Sequence, residues 1–276
     1  MITPHPLKKV CYVNHDKICT LAEAAALVQD GDMLALGGMT LYRRPVAFVY
    51  ELLRRAEPPQ DLTLLCFTAG YESDLLVGVG SVRAVHTCYF GLEIFGFAPM
   101  FSEAANAGRL RVIEESETSI AAGLRAHLSG VPFLPSTAWI GTDMSRLRPD
   151  VQTIQAPYTD ETLTAFPALA PDVAVIHALV ADKSGNMRLN NNIGIDRELA
   201  MAARTVIVTA ETVVDHLTAD VSIAGPVVTA VAHAPRGAWP TSCYPLYAVG
   251  GGELLAYIDA CNAQRFFAFI RERIGE

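Results

Sequence analysis

Residues 114–117 read Glu-Glu-Ser-Glu, three carboxylates in four positions at the junction between an extended run and a helical one. A carboxylate held there can act as a base or attack a carbonyl carbon as a nucleophile. Three acids in close company also repel, which favours a proton on one of them. The bland use of such a cluster is structural, because acids in a helix's first turn complement the backbone dipole. A second candidate is Gly37-Gly38-Met39-Thr40-Leu41-Tyr42-Arg43-Arg44-Pro45. Paired glycines let a ligand approach the backbone closely. Arg43 and Arg44 supply the planar guanidinium that suits carboxylates and phosphates. The lysine of a P-loop and the third glycine of a dinucleotide fingerprint are both missing. An ordinary turn with solvated arginines therefore stands beside the ligand-binding reading.

Other chemistry-bearing residues read more plainly. His177, inside the apolar run Val175-Ile176-His177-Ala178-Leu179, reads as a satisfied core histidine. Ser136, Ser184 and Ser242 lack the Gly-x-Ser-x-Gly setting of a hydrolase nucleophile. Glu72 and Asp74 follow an extended run and read as solvated loop acids. The six cysteines (Cys11, Cys19, Cys66, Cys88, Cys243, Cys261) form no CxxC pair and have no zinc-ligand spacing with histidine, so no metal site is expected. They read as reduced, mostly buried thiols.

The elements that must hold these residues alternate strand with helix. Thr20-Leu21-Ala22-Glu23 is a capping-box sequence opening a helix that Gly31 ends. Met33–Leu36 reads as a short buried strand, and Pro45 opens a helix running to about Ala56. Extended runs follow at 62–67, 82–90 and 110–113, with helices at 97–107 and 118–129. Prolines 132, 135, 149 and 157 suggest an irregular excursion over about 131–166. Strands are then expected at 173–180, 205–209 and 227–232, and a short helix at 197–203. The turn Asp182-Lys183-Ser184-Gly185-Asn186 has residues that tolerate positive φ. One long amphipathic helix over 253–274 closes the chain, with Gly250-Gly251-Gly252 as a flexible entry or, as the alternative, an anion-binding nest. This alternation predicts an α/β fold, an open and mainly parallel sheet with helices on both faces, as one domain over 1–276. Such sheets bind ligands beyond the carboxyl ends of their strands. Gly37-Gly38, Thr68-Ala69-Gly70 and Gly91-Leu92-Glu93 should share that rim.

Composition narrows the classes. A net charge of −8 without a Lys/Arg block argues against nucleic acid as a partner. No apolar run approaches a membrane span and no signal peptide is visible, so no membrane partner and a cytoplasmic location are expected.

Four separated segments carry a resemblance. They are Gly37-Gly38 through Arg43-Arg44-Pro45; Gly130-Val131-Pro132-Phe133-Leu134-Pro135 with Gly141-Thr142-Asp143 beyond; His177 through Asn186; and Pro235-Arg236-Gly237-Ala238-Trp239-Pro240-Thr241-Ser242-Cys243-Tyr244. Together, and in this order, they resemble the alpha (A) subunit of family I coenzyme A transferases, glutaconate type, with Trp239 where that type has histidine. The resemblance implies the family's open α/β fold and a partner, the beta subunit, in a heterodimer or higher heteromer. It implies a CoA thioester and a small carboxylate as substrates, with no bound cofactor. In such enzymes the usual nucleophilic glutamate is on beta, and the chain alone should be inactive. The implied activity moves CoA between an acyl-CoA and a carboxylate acceptor.

Glu117 falls where acetoacetate-type relatives carry glutamine and the glutaconate type asparagine. Actinobacterial CoA hydrolases that open steroid rings place a glutamate there and share Arg43-Arg44-Pro45. Ala47 stands where the acetoacetate type has asparagine, which disfavours an acetoacetate or succinate transferase. The expected site is therefore Glu117 as catalytic residue, with Gly37, Gly38, Arg43 and Arg44 binding substrate. Ring-opening or thioester hydrolysis of a cyclic acyl-CoA by Glu117 is the alternative. A non-catalytic sugar-phosphate or effector-binding module is the reading from another class.

Overall fold

Strands Leu62–Cys66 and Met33–Leu36 alternate their side chains between two packed layers. Leu34, Leu36, Leu64 and Cys66 enter one core cluster, while Ala35 and Leu65 enter another on the opposite face. Burial on both faces is what a parallel sheet covered by helices requires. The computed structural model describes residues 16–275. Its first half runs β1 (Ile18–Cys19), α1 (Leu21–Ala25), β2 (Met33–Leu36), α2 (Val46–Arg54), β3 (Leu62–Cys66), α3 (Tyr71–Gly78), β4 (Val82–Thr87), α4 (Pro99–Asn106), β5 (Arg111–Glu114) and α5 (Glu117–Leu128). An excursion follows as β6 (Phe133–Ser136), α6 (Met144–Leu147), β7 (Thr153–Gln155) and β8 (Thr162–Pro167). The sheet resumes with β9 (Val173–Asp182), β10 (Met187–Arg188), α7 (Asp196–Ala202), β11 (Thr205–Val214) and β12 (Ala230–His233). Helices α8 (Gly251–Asn262) and α9 (Phe266–Ile274) close the chain.

The strand order is β1-β12-β11-β9-β2-β3-β4-β5, every neighbouring pair parallel, with β10 antiparallel on β9. The expected open, mainly parallel α/β sheet is therefore observed. Chain direction across the sheet reverses between β2 and β9, which makes their carboxyl ends the switch point. The three predicted rim segments do meet. Thr40 N donates to Thr68 Oγ1 at 2.8 Å, Ala69 N to the Tyr89 carbonyl at 2.8 Å, and Gly91 N to the Ala69 carbonyl at 3.2 Å.

Four local expectations are corrected. The capping box of Thr20 and Glu23 forms, but α1 ends at Ala25 and Gly31 turns the chain into β2 instead. Residues 131–166 are ordered, because β6, β7 and β8 pair as an antiparallel sheet. Trp139, Val151, Phe166 and Ala122 give that sheet its own small core against α5. The closing helix is two helices, broken where Gln264 takes φ 56°, and Gly250 is the cap of α8 rather than a flexible entry. Of the five described cysteines, Cys66 and Cys243 are buried, the other three half-buried, and all are free thiols; Cys11 lies outside the described residues. No described helix is long and apolar enough to cross a membrane.

The fourth correction is α3. Tyr71 to Val77 are buried along the whole helix, Glu72 and Asp74 included. Asp74 accepts from the Tyr257 hydroxyl at 2.7 Å and from the amides of Phe101 and Met100 at 2.6 and 3.2 Å, so it caps α4 from a neighbouring helix. Burial raises its pKa from 3.8 to about 6 against the pull of those donors. A raised folded value means stability that is full below the unfolded pKa and lost as pH climbs through about 6. Asp74→Asn cannot titrate. Relative to the unaltered protein it should gain up to roughly 3 kcal/mol between about pH 4 and pH 7, at about 1.36 kcal/mol per unit. Urea unfolding of both proteins at both pH values checks this; a gap that stays constant with pH would contradict it.

Candidate active site

The glycine pair sits at the carboxyl end of β2, at the switch point. Its amides are already engaged: Gly37 N donates to the Val175 carbonyl and Gly38 N to Asp196 Oδ1, both at 2.9 Å. Glycine is required here for a different reason from the one expected. Gly38 has φ +79°, and a Cβ on it would lie 2.5 Å from the carbonyl oxygens of Tyr42 and Arg43. A Cβ on Gly37 would lie 2.8 Å from Asp196 Oδ1. The pair closes a turn onto Asp196; it does not present free amides to a ligand.

Arg43 and Arg44 are both 0% exposed. Arg43 Nη2 pairs with Asp196 Oδ2 at 2.5 Å and donates to the Asn192 carbonyl at 2.8 Å, while Nη1 donates to the His177 carbonyl at 2.7 Å. Arg44 Nη2 pairs with Glu72 Oε1 at 2.6 Å, and Nη1 donates to the Gly38 carbonyl at 3.1 Å. The expected binding of a substrate carboxylate by these arginines gives way to a structural role. They fill the crevice at the switch point, and their charges are matched inside the chain.

The acidic cluster is split three ways. Glu114 is exposed at the end of β5. Glu115 is buried, and it binds His86 Nδ1 at 2.8 Å, Arg148 Nη1 at 2.7 Å and Ser119 Oγ at 2.5 Å. Burial pushes Glu115 up, but the hydrogen bonds from His86 and Ser119 and the Arg148 charge outweigh it and hold its carboxyl below the ordinary value. The repulsion expected to keep a proton among the three acids is thus cancelled at Glu115 by a cation from the excursion. Ser116 caps α5, exchanging hydrogen bonds with Ser119, and its Oγ accepts from Trp139 Nε1 at 2.8 Å. These contacts fix the start of α5, where Glu117 is the first helical residue. Glu117 is exposed and no described side chain pairs with it.

Glu117 opens onto a cleft of about 410 Å³ between α5 and β6. Phe67, Leu134, Pro135 and Ile195 make apolar walls, and Glu117, Thr118, Arg125 and Ser136 supply the polar groups. A cleft that is largely apolar with a few convergent polar groups is the usual form of a small-molecule site. The candidate residues therefore separate. Glu117 faces open space, whereas Gly37, Gly38, Arg43 and Arg44 lie in the frame beside it. Arg125 was not legible as a site residue, since only the fold of the excursion makes its helix face the wall of a cleft.

His177 is the satisfied core histidine expected of it. It is fully buried, with Nδ1 at 2.8 Å from Thr209 Oγ1 and Nε2 at 2.9 Å from Glu211 Oε1. Burial holds its pKa below the ordinary value in spite of Glu211. Glu211 also accepts from the Tyr247 hydroxyl and from Arg236 N at 2.6 Å, so the cluster fastens residues 236–247 to the sheet. His177, Glu211 and Cys243 have metal-ligand chemistry and lie within 4.8 Å of one another. Their imidazole nitrogens and carboxylate oxygens are engaged with the protein, and burial pushes the Cys243 thiol up to about 12. The set reads as a closed hydrogen-bond network.

Known proteins resemble the chain in both sequence and fold. The description of the Coenzyme A transferase family matches residues 18–234. The chain is 34% identical to the A subunit of 3-oxoadipate CoA-transferase from Pseudomonas knackmussii, over 84% of this chain and 83% of that one. It is 34% identical to the A subunit of glutaconate CoA-transferase from Acidaminococcus fermentans, over 93% and 87%. The solved structure of the latter enzyme superposes with a TM-score of 0.85, covering 93% of this chain and 88% of that one at 32% identity. A cysteine-to-serine variant of the decarboxylase AibA/AibB superposes at 0.87, covering 95% and 100% at 30% identity. The cholesterol ring-cleaving hydrolase IpdA subunit of Rhodococcus jostii is 35% identical over 62% of this chain and 59% of that one.

Proposed function

The chain belongs to the coenzyme A transferase family, as an enzyme subunit of the A type, and we propose that its cleft between α5 and β6 receives the acyl group of a CoA thioester. The CoA is then passed to a small carboxylate acceptor. The observation that carries this is the unpartnered carboxylate of Glu117 at the mouth of a cleft whose other walls are mostly apolar. A carboxylate nucleophile conserves the energy of the thioester, and exclusion of water prevents its loss by hydrolysis. That nucleophile belongs to a B-type partner. Glu117, when protonated, donates to the thioester oxygen as that oxygen gains charge. On this chain alone the cleft is open, so a partner surface has to complete it. Ile94 and Phe97, 90% and 85% exposed on the loop after β4, suit such a covering surface at the carboxyl-end rim.

Hydrolysis is the second reading. By the family resemblance Glu117 stands where transferases carry an amide, and a carboxylate can accept a proton from water where an amide cannot. Similarity to the ring-cleaving hydrolase subunit supports it. Family membership as an enzyme leaves the sugar-phosphate module without support.

The test uses the chain assembled with its partner subunit. Acyl-CoAs are supplied with and without an isotopically labelled carboxylate acceptor, and free thiol is followed alongside. Labelled acyl-CoA that appears only with acceptor, without net thiol release, is the expected result. Thiol release that ignores the acceptor would establish hydrolysis. Neither product from any acyl-CoA would remove the site assignment.

A further inference from the structure

The link between β5 and α5 is Glu115 and Ser116, and Glu117 follows at once as the first residue of the helix. Each position just before Glu117 is held from the excursion. Arg148 Nη1 donates to the Glu114 carbonyl at 2.9 Å and to Glu115 Oε1 at 2.7 Å. Trp139 Nε1 donates to Ser116 Oγ at 2.8 Å. Residues 114 to 116 are thus tied to two side chains that lie 23 to 34 residues further along the chain.

Those two side chains are themselves held. Asp150 takes Nε and Nη2 of Arg148 in a fork, both at 2.9 Å, and the guanidinium lies 6.0 Å from the centre of the Trp139 ring. Trp139 packs edge-on against Phe166 in the small core. Its backbone is unusual, with φ 74°. A bulky residue rarely adopts that left-handed conformation. Where one does, the surrounding structure holds it there against strain, and such positions gather at functional sites. Here the strained residue is the one that donates to the cap of α5. Neither Trp139 nor Arg148 is among the residues that line the cleft, so any effect on the chemistry passes through α5.

We propose that Arg148 and Trp139 are positioning residues for Glu117. The excursion supplies a wall of the cleft through Leu134, Pro135 and Ser136, and it also supplies the grip that aims the carboxylate. This rests on Glu117 taking part in the chemistry. The torsions of Glu115 and Ser116 set how the first turn of α5 leaves the strand, and hence where the Glu117 side chain points. With that link pinned to the unit that bears the wall, carboxylate and wall keep one geometry. Loss of the grip keeps the carboxylate and loosens its aim. Turnover then suffers and binding does not, since a misplacement of about 1 Å is enough to cost about 10²-fold.

The test is a double-mutant cycle on the chain assembled with its partner subunit. Arg148→Gln and Trp139→Phe are each made with Glu117 intact and in the Glu117→Ala background. Arg148→Gln should lower kcat by about 10- to 100-fold while KM moves less than about threefold, as for an interaction felt only in the transition state. Arg148→Lys, which returns a cation to Glu115, should recover part of that loss. Trp139→Phe keeps an aromatic ring against Phe166 and loses the hydrogen bond, so kcat should fall several-fold at unchanged KM. It strands no charge, and its result stands whether or not Arg148→Gln folds. In the Glu117→Ala background neither variant should lower kcat further, because changes that act through one group do not add. Losses that multiply with that of Glu117→Ala, a rise in KM at constant kcat, or full turnover in both variants would overturn the proposal. Unaltered turnover in Glu117→Ala alone would instead remove the reading of Glu117, and the proposal with it.

Discussion

Glu117→Ala in the assembled enzyme is expected to lower kcat by about 10²- to 10⁴-fold, the range for loss of a positioned proton donor or acceptor. The protein itself should fold unchanged. Glu117 is exposed and no described side chain pairs with it, so its removal empties no buried space and strands no charge. Only its favourable position in the first turn of α5 is lost, about 0.3–1 kcal/mol. The arrangement that presents it stays behind: the Ser116 cap, the Trp139 hydrogen bond and the Arg148–Glu115 pair. Glu117→Gln then separates its two roles. An amide still donates to a thioester oxygen, so transfer should survive within about tenfold. An amide cannot take a proton from water, so hydrolysis should fall as far as in the alanine variant. Steady-state rates for both variants, with circular dichroism as the folding control, check this. Alanine activity near that of the unaltered enzyme would deny Glu117 any part in the chemistry.

The largest stability effect should come from the arginine pair once expected to touch substrate. Glu72→Ala leaves the Arg44 guanidinium in the core, at 0% exposure, without a counter-charge. Breaking a buried pair on one side costs about 3–5 kcal/mol. In a chain of this length, that corresponds to a fall in Tm of roughly 10 °C. Replacing both partners with apolar residues of similar volume, Arg44→Met with Glu72→Leu, should recover most of the loss, because no unpaired charge remains. Thermal and urea unfolding of the single and double variants measure it. A single variant that unfolds with the unaltered protein would mean that solvent reaches the pair.

What the sequence disclosed and withheld follows from how local each signal is. The capping box at Thr20, the strand at Met33–Leu36 and the strand-to-helix junction before Glu117 are written in adjacent residues, and all three appear in the structure. Helix α3 was not legible because it is buried all round. It has no polar stripe to set a helical period, and Glu72 and Asp74 read as solvated loop acids. Their partners are Arg44 and the elements bearing Tyr257 and Phe101, none of which is near in sequence. The arginines were misread for the same reason. Asp196 lies 153 residues from Arg43, and nothing in the motif itself tells a solvated guanidinium from one that braces a crevice. The sheet inside the excursion was hidden by short strands and prolines, although Trp139 and Phe166 are the aromatic signal of its small core. Family resemblance supplied the expectation of a partner and of an acyl-CoA; it did not supply the cleft, which depends on β6 folding back beside α5.

The most direct measurement is a crystal structure of this chain with a ketone analogue of an acyl-CoA, in which a methylene replaces the thioester sulfur so that it cannot transfer or hydrolyse, in the complex with its partner subunit. The acyl group is expected in the cleft between α5 and β6, with its carbonyl oxygen within hydrogen-bond reach of Glu117 and its chain against Phe67, Leu134 and Ile195. An acyl group lodged elsewhere on the rim, with Glu117 facing solvent, would contradict the assignment of this site.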